Sequence, residues 1–300
     1  MTDVFYQDAS WPRAGDYPAH QDHADVVLIG VPTHETSLSP TRADTTPRAI
    51  RESLRRYSHT FYHGDGGTRS LEGLTITDAG DIENPDGDRA GAIEHLRKVA
   101  SQSSLVIALG GDNSATVPVA TASLDSDWDS AGLITLDAHF DVRAGKSNGS
   151  PVRELLELGL PGPHVAQVGI ADFANSRAYS EFVAHQGITV IPRRDITASN
   201  VEKIAEQACR TAGSGGGNIH VDIDVDVCDR AVVPACPASA PGGLSAYELR
   251  ALVRRLAAHP HVVSFDITEI DATQDSADGR TIRLAALLVL EILAGFNERP

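Results

Sequence analysis

Residues 132–141 read GLITLDAHFD, and this stretch decides the fold class. The segment GLITL is short and rich in apolar and β-branched residues, which is typical of a strand buried on both faces. The strand then ends in Asp137, His139 and Asp141. In an extended chain, residues at positions i, i+2 and i+4 lie on the same face, so these three side chains should converge on one point.

Similar apolar segments recur along the chain and alternate with longer, helix-like segments. The predicted strands cover residues 25–31, 73–80, 104–111, 131–139, 164–170, 187–192, 217–225 and 261–269. The predicted helices cover residues 47–58, 89–102, 150–159, 175–187, 200–212, 245–259 and 281–297, with N-caps at Asn175, Ser199 or Asn200, and Ser245. This alternation predicts a doubly wound α/β fold with right-handed crossovers.

The composition restricts the class of partner. A chain of 300 residues, 41% of them hydrophobic, can bury a large core. Its formal net charge of −16 argues against nucleic-acid and anionic-membrane partners, because both would be repelled. We therefore expect a small-molecule partner.

The cysteines and the N-terminal segment indicate the compartment. Cys209, Cys228 and Cys236 are odd in number and lack CxxC spacing, which argues against a disulfide framework or a zinc knuckle. The first residues lack the basic start and apolar stretch of a signal peptide, and no apolar run reaches the length of a membrane span. These features predict a cytoplasmic protein without a membrane partner.

Polar residues follow four of the predicted strands, at the edge where a parallel sheet binds its ligands. The four groups are Asp112 to Ser114, Asp137 to Asp141, Asp222 to Asp226, and Asp266 with Glu269. Such crowded carboxylates would raise one another's pKa values unless cations lay between them. Oxygen and imidazole donors without thiolate favour Mn²⁺, and two ions roughly 3.5–4 Å apart would activate water for hydrolysis. His220, on the same face, is expected to pack in the core.

The motifs in this order resemble the ureohydrolase superfamily, which includes arginase, agmatinase and formimidoylglutamase. The matching stretches are GGDNS (110–114), DAHFD (137–141), SNGSPVR (147–153), DIDVDVCD (222–229), FDITEID (265–271) and TIRLAA (281–286). The resemblance implies one domain over residues 1–300, with a three-layer αβα fold around an eight-stranded, mostly parallel sheet. It also implies a homo-oligomer, either a trimer or a hexamer, as is common in the superfamily.

The resemblance also implies roles for individual residues. Asp137 and Asp224 match carboxylates that bridge two manganese ions. His139 and Asp226 match the remaining ligands of one ion, and Asp141 and Asn113 those of the other. Glu269 matches the acid that receives the amidine-type group of the substrate, and we expect a two-pronged pairing there.

Within the superfamily, several segments look most like the formimidoylglutamase branch of histidine catabolism, which cleaves N-formimidoyl-L-glutamate to L-glutamate and formamide. These segments are SLSPTRADTTPRAIR (37–51), SNGSPVR (147–153), GIADFANSRAY (169–179) and DVCDRAVVPACPASAPGGL (226–244).

Two departures from the superfamily leave alternatives open. Asn113 replaces the usual histidine, so the site could hold two ions or only one. Asn148 replaces a histidine that can shuttle protons, and its presence argues against guanidine hydrolysis by the arginase route. The proton donor to the leaving nitrogen would then be metal-bound solvent, a carboxylate such as Asp141, or the substrate itself. A guanidino substrate remains the alternative activity, favoured by the negative net charge if that substrate is cationic. A non-catalytic, metal-poor relative is the third hypothesis.

The two carboxylates of the glutamyl group require cations or amide donors near the mouth of the site. Arg153 is the principal candidate from the sequence, although a solvated helix arginine is an equal alternative. Arg143 and Lys146 are weaker candidates in the same loop, and Asn148 could donate a hydrogen bond to the substrate.

Overall fold

The computed structural model describes residue 8, residues 10–124 and residues 127–299. Its strands are β1 (Ala24–Val31), β2 (Thr60–Tyr62), β3 (Thr68–Ser70), β4 (Ile76–Asp81), β5 (Ser103–Gly110), β6 (Gly132–Leu136), β7 (Val165–Ile170), β8 (Thr189–Pro192), β9 (Ile219–Asp224) and β10 (Val262–Thr268). Its α-helices are α1 (Thr46–Leu54), α2 (Arg89–Ala100), α3 (Thr116–Ser123), α4 (Pro151–Glu157), α5 (Arg177–Gln186), α6 (Val201–Ala212), α7 (Ala246–Ala257) and α8 (Arg280–Asn297).

Eight strands form one parallel sheet in the order β4-β1-β5-β10-β9-β6-β7-β8. All eight correspond to predicted strands, and the α/β prediction with an eight-stranded parallel sheet is confirmed. The four strands with polar ends, β5, β10, β9 and β6, are consecutive in the sheet. Because parallel strands end at the same edge, the four polar groups lie side by side.

Helices cover both faces of the sheet and make three layers. Helices α1, α6, α7 and α8 pack on one face, where Leu136, Val221 and Phe265 belong to the largest buried apolar cluster. Helices α2, α3 and α4 pack on the other face, with Leu133 and Val106 in two smaller clusters. Side chains alternate along each strand, so the metal-type residues of β6 and β9 point to the face that carries α3.

Two elements were absent from the prediction. Helix α3 has the sequence TVPVATAS and is buried almost throughout, so it shows no amphipathic period that a sequence pattern could detect. Strands β2 and β3 pair as a short antiparallel hairpin with mostly exposed residues, and this polar segment lacks the apolar alternation of a strand.

The N-cap predictions had mixed outcomes. Ser245 caps α7 in a capping box with Glu248, as predicted. The prediction of Asn175 was wrong, because Ser176 caps α5 and accepts a hydrogen bond from the backbone N–H of Tyr179. Asn200 occupies the N-cap position of α6 without a side-chain capping bond.

Among the described residues, no helix combines the length and the apolar character needed to cross a membrane. The signal-peptide expectation concerns the start of the chain, and residues 1–7 and 9 lie outside the described residues.

Candidate active site

Five predicted metal ligands meet at the carboxyl ends of β6 and β9. Two groups can each present ligand atoms within 4.8 Å of one another. The first group is Asp137, His139 and Asp226, and the second is Asp137, Asp141 and Asp224. Asp137 belongs to both groups, as expected of a bridging carboxylate, and it is fully buried. Asp224, the other carboxylate expected to bridge, belongs only to the second group.

Burial and neighbouring charges shift the pKa values of the titratable groups in this cluster. Burial, reinforced by neighbouring carboxylates, raises the pKa of Asp137 and of Asp224 well above the ordinary value. Burial also raises the pKa of Asp141 to about 7, although the charge of His139 opposes this shift. Burial would lower the pKa of His139, but a hydrogen bond to Asp226 and other carboxylates outweighs it and raises the value to about 9.

Backbone N–H groups hold the ligand loops in place. The N–H of His139 donates to Asp137 Oδ1 at 2.6 Å, and the N–H of Ala138 donates to Asp226 Oδ1 at 2.9 Å. Asn175, in the segment between β7 and α5, holds the same loop, because its Oδ1 accepts a hydrogen bond from the N–H of Phe140 and its Nδ2 donates one to the carbonyl of Ala138. This explains why Asn175 does not cap α5.

Two acidic residues of the site have left-handed backbone conformations. Asp141 has a φ of 51° and Glu269 a φ of 62°. Such conformations are uncommon for residues other than glycine, and they occur at functional sites where they aim a side chain. Here they turn both carboxylates toward the ends of β6 and β10.

Asn113 is fully buried beside the cluster and contacts Asp141. Its Oδ1 accepts hydrogen bonds from the hydroxyls of Thr116, at 2.9 Å, and Thr268, at 2.8 Å. Its Nδ2 donates to Asp141 Oδ2 at 2.7 Å. The amide therefore turns its NH₂ group, and not its oxygen, toward the carboxylates.

A pocket of about 460 Å³ opens above the cluster. Its polar lining includes His139, Asp141, Asp224, Asp226, Asn148 and Glu269. Glu269 is the one carboxylate of this lining that belongs to neither group of potential metal ligands. Burial raises the pKa of Glu269 to about 8, although hydrogen bonds from Asn148 and the backbone of Asn113 oppose the shift.

The structure corrects the expected position of Arg153. Its Nε donates to the carbonyl of Val142 at 2.7 Å, and its guanidinium lies 4.1 Å from the ring centroid of Phe182, so it does not line the pocket. Arg143 does line the pocket and is exposed. Lys146 is exposed but lies outside the lining. Arg153 lies in α4 and its side chain points back toward the loop before that helix. The spacing of residues in the sequence does not reveal the direction of such a side chain.

A buried polar layer lies below the metal-type residues and was only partly foreseen. His220 is in the core, as predicted, with Nδ1 2.8 Å from Ser264 Oγ and Nε2 3.2 Å from Asp266 Oδ2. Asp222 and Asp266 are neighbours in the sheet register and both are fully buried. Asp222 lies two residues before Asp224, and Asp266 two residues before Thr268, so each pair shares one face of its strand. This spacing was the feature of the sequence that could have predicted the layer.

The donor set fits divalent cations. Asp137 Oδ2 is buried and has no hydrogen-bond partner among the described residues, and carboxylates converge on it from β6 and β9. A buried, unpartnered carboxylate oxygen is costly unless a cation or a proton neutralises it. Carboxylate and imidazole donors suit Mn²⁺ and similar ions better than a thiolate-bound zinc.

Comparison with known proteins agrees with this geometry. Residues 24–295 match the family model described as "Arginase family". A formimidoylglutamase of Halalkalibacterium halodurans is 34% identical over 89% of this chain and 86% of its own length. The crystal structure of Bacillus subtilis formimidoylglutamase superposes with a TM-score of 0.88 at 29% identity, covering 100% of this chain and 96% of that one.

A second structural match extends the agreement in fold. Trypanosoma cruzi formiminoglutamase, solved with two Mn²⁺ ions, has a TM-score of 0.87 at 22% identity and covers 97% of this chain and 100% of that one. The strand order, the acidic cluster at the ends of β6 and β9, and the match over residues 24–295 point to the same conclusion. The chain belongs to the arginase family.

Proposed function

We propose that this protein is a manganese-dependent hydrolase that cleaves a C–N bond of N-formimidoyl-L-glutamate. Water and the substrate give L-glutamate and formamide. One observation carries the proposal: the same pocket is lined by a cluster of carboxylates and by Arg143. That distribution of charge is complementary to a substrate with a cationic amidine at one end and two carboxylates at the other. Relatives that bear the name formimidoylglutamase support it.

The proposed cofactor is Mn²⁺. Asp137, His139 and Asp226 would hold one ion, and Asp137, Asp141 and Asp224 would hold the second. Bound ions would supply Lewis-acid chemistry and acidify a water molecule near the reacting carbon. Two ions per chain are expected, and one is possible because the Asn113 oxygen is occupied by threonine hydroxyls.

Glu269 binds and orients the amidine in this proposal. Its side chain is 5% exposed and faces the pocket beside the metal-type carboxylates. At so buried a position, a carboxylate attracts an amidinium more strongly than it would in water. Holding the planar amidine against Glu269 also keeps its carbon above the acidic cluster, which supplies the required orientation.

Asp141 is the proposed proton carrier. It lines the pocket, and its left-handed backbone directs its carboxyl toward the site. The leaving nitrogen must gain a proton to depart as the amino group of glutamate, and a carboxylate beside the reacting carbon can relay that proton. Asn113 fixes this group, because its Nδ2 donates to Asp141 Oδ2.

Arg143 takes the substrate-carboxylate role first expected of Arg153. It is the only lysine or arginine in the lining of the pocket within the described parts of the chain. A guanidinium can pair with a carboxylate through two parallel hydrogen bonds. Asn148, the other expected substrate-binding residue, lines the pocket but donates to Glu269 Oε1 at 2.8 Å.

The test is release of formamide and glutamate by metal-stripped protein reloaded with Mn²⁺, with metal content measured on the same sample. Turnover that requires Mn²⁺ and is abolished in Glu269→Gln at unchanged metal content is the expected result. Release of urea from a guanidino compound without formamide release would replace this proposal by the alternative activity. A protein that neither binds Mn²⁺ nor turns over would refute both and favour the non-catalytic hypothesis.

Three further properties belong to the proposal. The eight-stranded sheet, built from strands between residues 24 and 268, supports one domain over residues 1–300. A homo-oligomer, either trimer or hexamer, is proposed from the family. A cytoplasmic location is supported by three cysteines that are buried and unpaired.

A further inference from the structure

The two carboxylate oxygens of Glu269 have different surroundings. Oε1 accepts a hydrogen bond from the backbone N–H of Asn113 at 2.8 Å and another from Asn148 Nδ2 at 2.8 Å. Oε2 accepts no hydrogen bond from any described residue, while the carboxyl faces the pocket. A carboxylate oxygen has two lone-pair sites, so two donors leave Oε1 without a free site.

The two donors differ in their position relative to the pocket. Asn113 is fully buried and does not line the pocket, whereas Asn148 is partly exposed and does line it. The lone pair of Oε1 that would face a bound substrate is therefore the one that Asn148 occupies.

The orientation of Asn148 is fixed by a second contact. Its Oδ1 accepts a hydrogen bond from the backbone N–H of Leu38 at 3.0 Å. Rotating the amide by 180° would turn an oxygen toward the Glu269 carboxylate and an NH₂ group toward the Leu38 N–H, so both hydrogen bonds would be lost. The Leu38 backbone thus ensures that Asn148 presents a donor to Glu269.

The consequence concerns the kind of cation that Glu269 can accept. A guanidino group carries two terminal nitrogens, and these can pair with a carboxylate by a fork that needs both oxygens. A formimidoyl group has one terminal nitrogen, because its carbon bears a hydrogen in place of the second, so it cannot form this terminal fork. With Oε1 occupied, Glu269 offers Oε2 alone, which matches the formimidoyl group and not the guanidino fork.

We propose that Asn148 is a specificity-determining residue that occupies Glu269 Oε1 and so favours formimidoyl over guanidino substrates. This inference rests on the proposed function. It replaces the expected two-pronged pairing of Glu269 by a one-pronged pairing. It also gives Asn148 a role through Glu269, in place of direct contact with the glutamyl end of the substrate.

The experiment compares N-formimidoyl-L-glutamate with N-carbamimidoyl-L-glutamate, which has an amino group in place of the formimidoyl hydrogen. The two compounds carry the same charges, so long-range electrostatics cancel in the ratio of their kcat/KM values. Formamide release reports the first and urea release the second. Where the analogue is not hydrolysed, its inhibition constant against formamide release takes the place of its kcat/KM.

Asn148→Ala and Asn148→Ser should each shift this ratio toward the carbamimidoyl compound by about tenfold or more, as expected for one recovered hydrogen bond to a charged group. Lys146→Ala is the matched control, since Lys146 is an exposed residue of the same loop outside the pocket, and its ratio should not move. Mn²⁺ content and melting temperature identify variants with intact structure.

An unchanged ratio in a folded, metal-loaded Asn148 variant would overturn the inference, as would an equal shift in Lys146→Ala. Such a result would leave the proposed function standing, because the wild-type enzyme would still release formamide. Absence of formamide release by the wild type would refute the proposed function, and the inference with it.

Discussion

Metal-stripped protein should lose stability as the pH rises from about 5 to about 8. Burial raises the pKa of Asp141 to about 7 and that of Glu269 to about 8. In the unfolded chain the same groups ionise near pH 4. Between these values the folded state keeps protons that the unfolded state has released, so each pH increase favours unfolding.

The size of the effect follows from the number of protons. Each group that binds one more proton in the folded state lowers the free energy of unfolding by about 1.4 kcal/mol per pH unit. For Asp141 and Glu269 together this amounts to roughly 2.7 kcal/mol per pH unit between about pH 5 and pH 7. Asp137 and Asp224, whose pKa values burial also raises, add to the loss in the same direction.

Other groups set the limits of the window. His139, whose pKa is raised to about 9, is protonated in both states below about pH 6.5 and adds to the loss only above it. Asp278, whose pKa is lowered to about 2, titrates below the window and contributes nothing to the slope.

Urea denaturation of metal-stripped and Mn²⁺-reloaded protein across this pH range provides the assay. Glu269→Gln removes one titrating group and should reduce the slope of the metal-stripped protein by about 1.4 kcal/mol per pH unit. Mn²⁺ should restore stability most at high pH, because binding requires deprotonated ligands. A metal-stripped wild type whose stability stays constant or increases with pH would refute the reasoning.

Arg143→Ala should raise KM for N-formimidoyl-L-glutamate about tenfold or more, because it removes a charge-assisted pairing with the substrate. Arg153→Ala should leave KM unchanged and lower the melting temperature, because that guanidinium bonds a carbonyl and stacks on an aromatic ring. Gly149→Ala should also raise KM, since the added Cβ would lie 2.7 Å from Arg143 Cδ and displace that side chain. Gly111→Ala should destabilise the fold by about 2 kcal/mol or more, because its Cβ would lie 1.9 Å from the carbonyl oxygen of Thr33. Steady-state kinetics and denaturation curves measure these effects.

Matched variants separate specific effects from general ones. Lys146→Ala removes a positive charge from the same loop, so an equal rise in KM there would contradict a direct role for Arg143. Gly64→Ala adds a Cβ that meets no atom within 4 Å, and it should leave stability unchanged. Equal destabilisation by Gly64→Ala would show that the Gly111 effect is not steric.

Much of the fold could be predicted because its strands carry a strong local signal. Parallel strands covered on both faces need continuous apolar segments, and most of the eight sheet strands have one, the edge strand β4 being an exception. Helix α3 escaped prediction because it is buried almost throughout and has no polar face. The strand order β5-β10-β9-β6 could not be predicted from local sequence patterns either, because β10 follows its neighbour β5 by some 150 residues in the chain.

The candidate site divides in the same way. The sequence predicted that Asp137, His139 and Asp141 converge, and their ligand atoms do lie close together. The expected reason was wrong, because β6 ends at Leu136 and Asp141 has a left-handed backbone, so the loop after the strand and not alternation along it brings them together. Ligand types and the acidic strand ends were likewise visible in the sequence. The tertiary structure decided which arginine reaches the pocket, and which atoms of Asn113 and Asn148 face the carboxylates. Those outcomes depend on loop paths and on hydrogen bonds between distant residues, such as Leu38 with Asn148, and local sequence patterns contain no information about them.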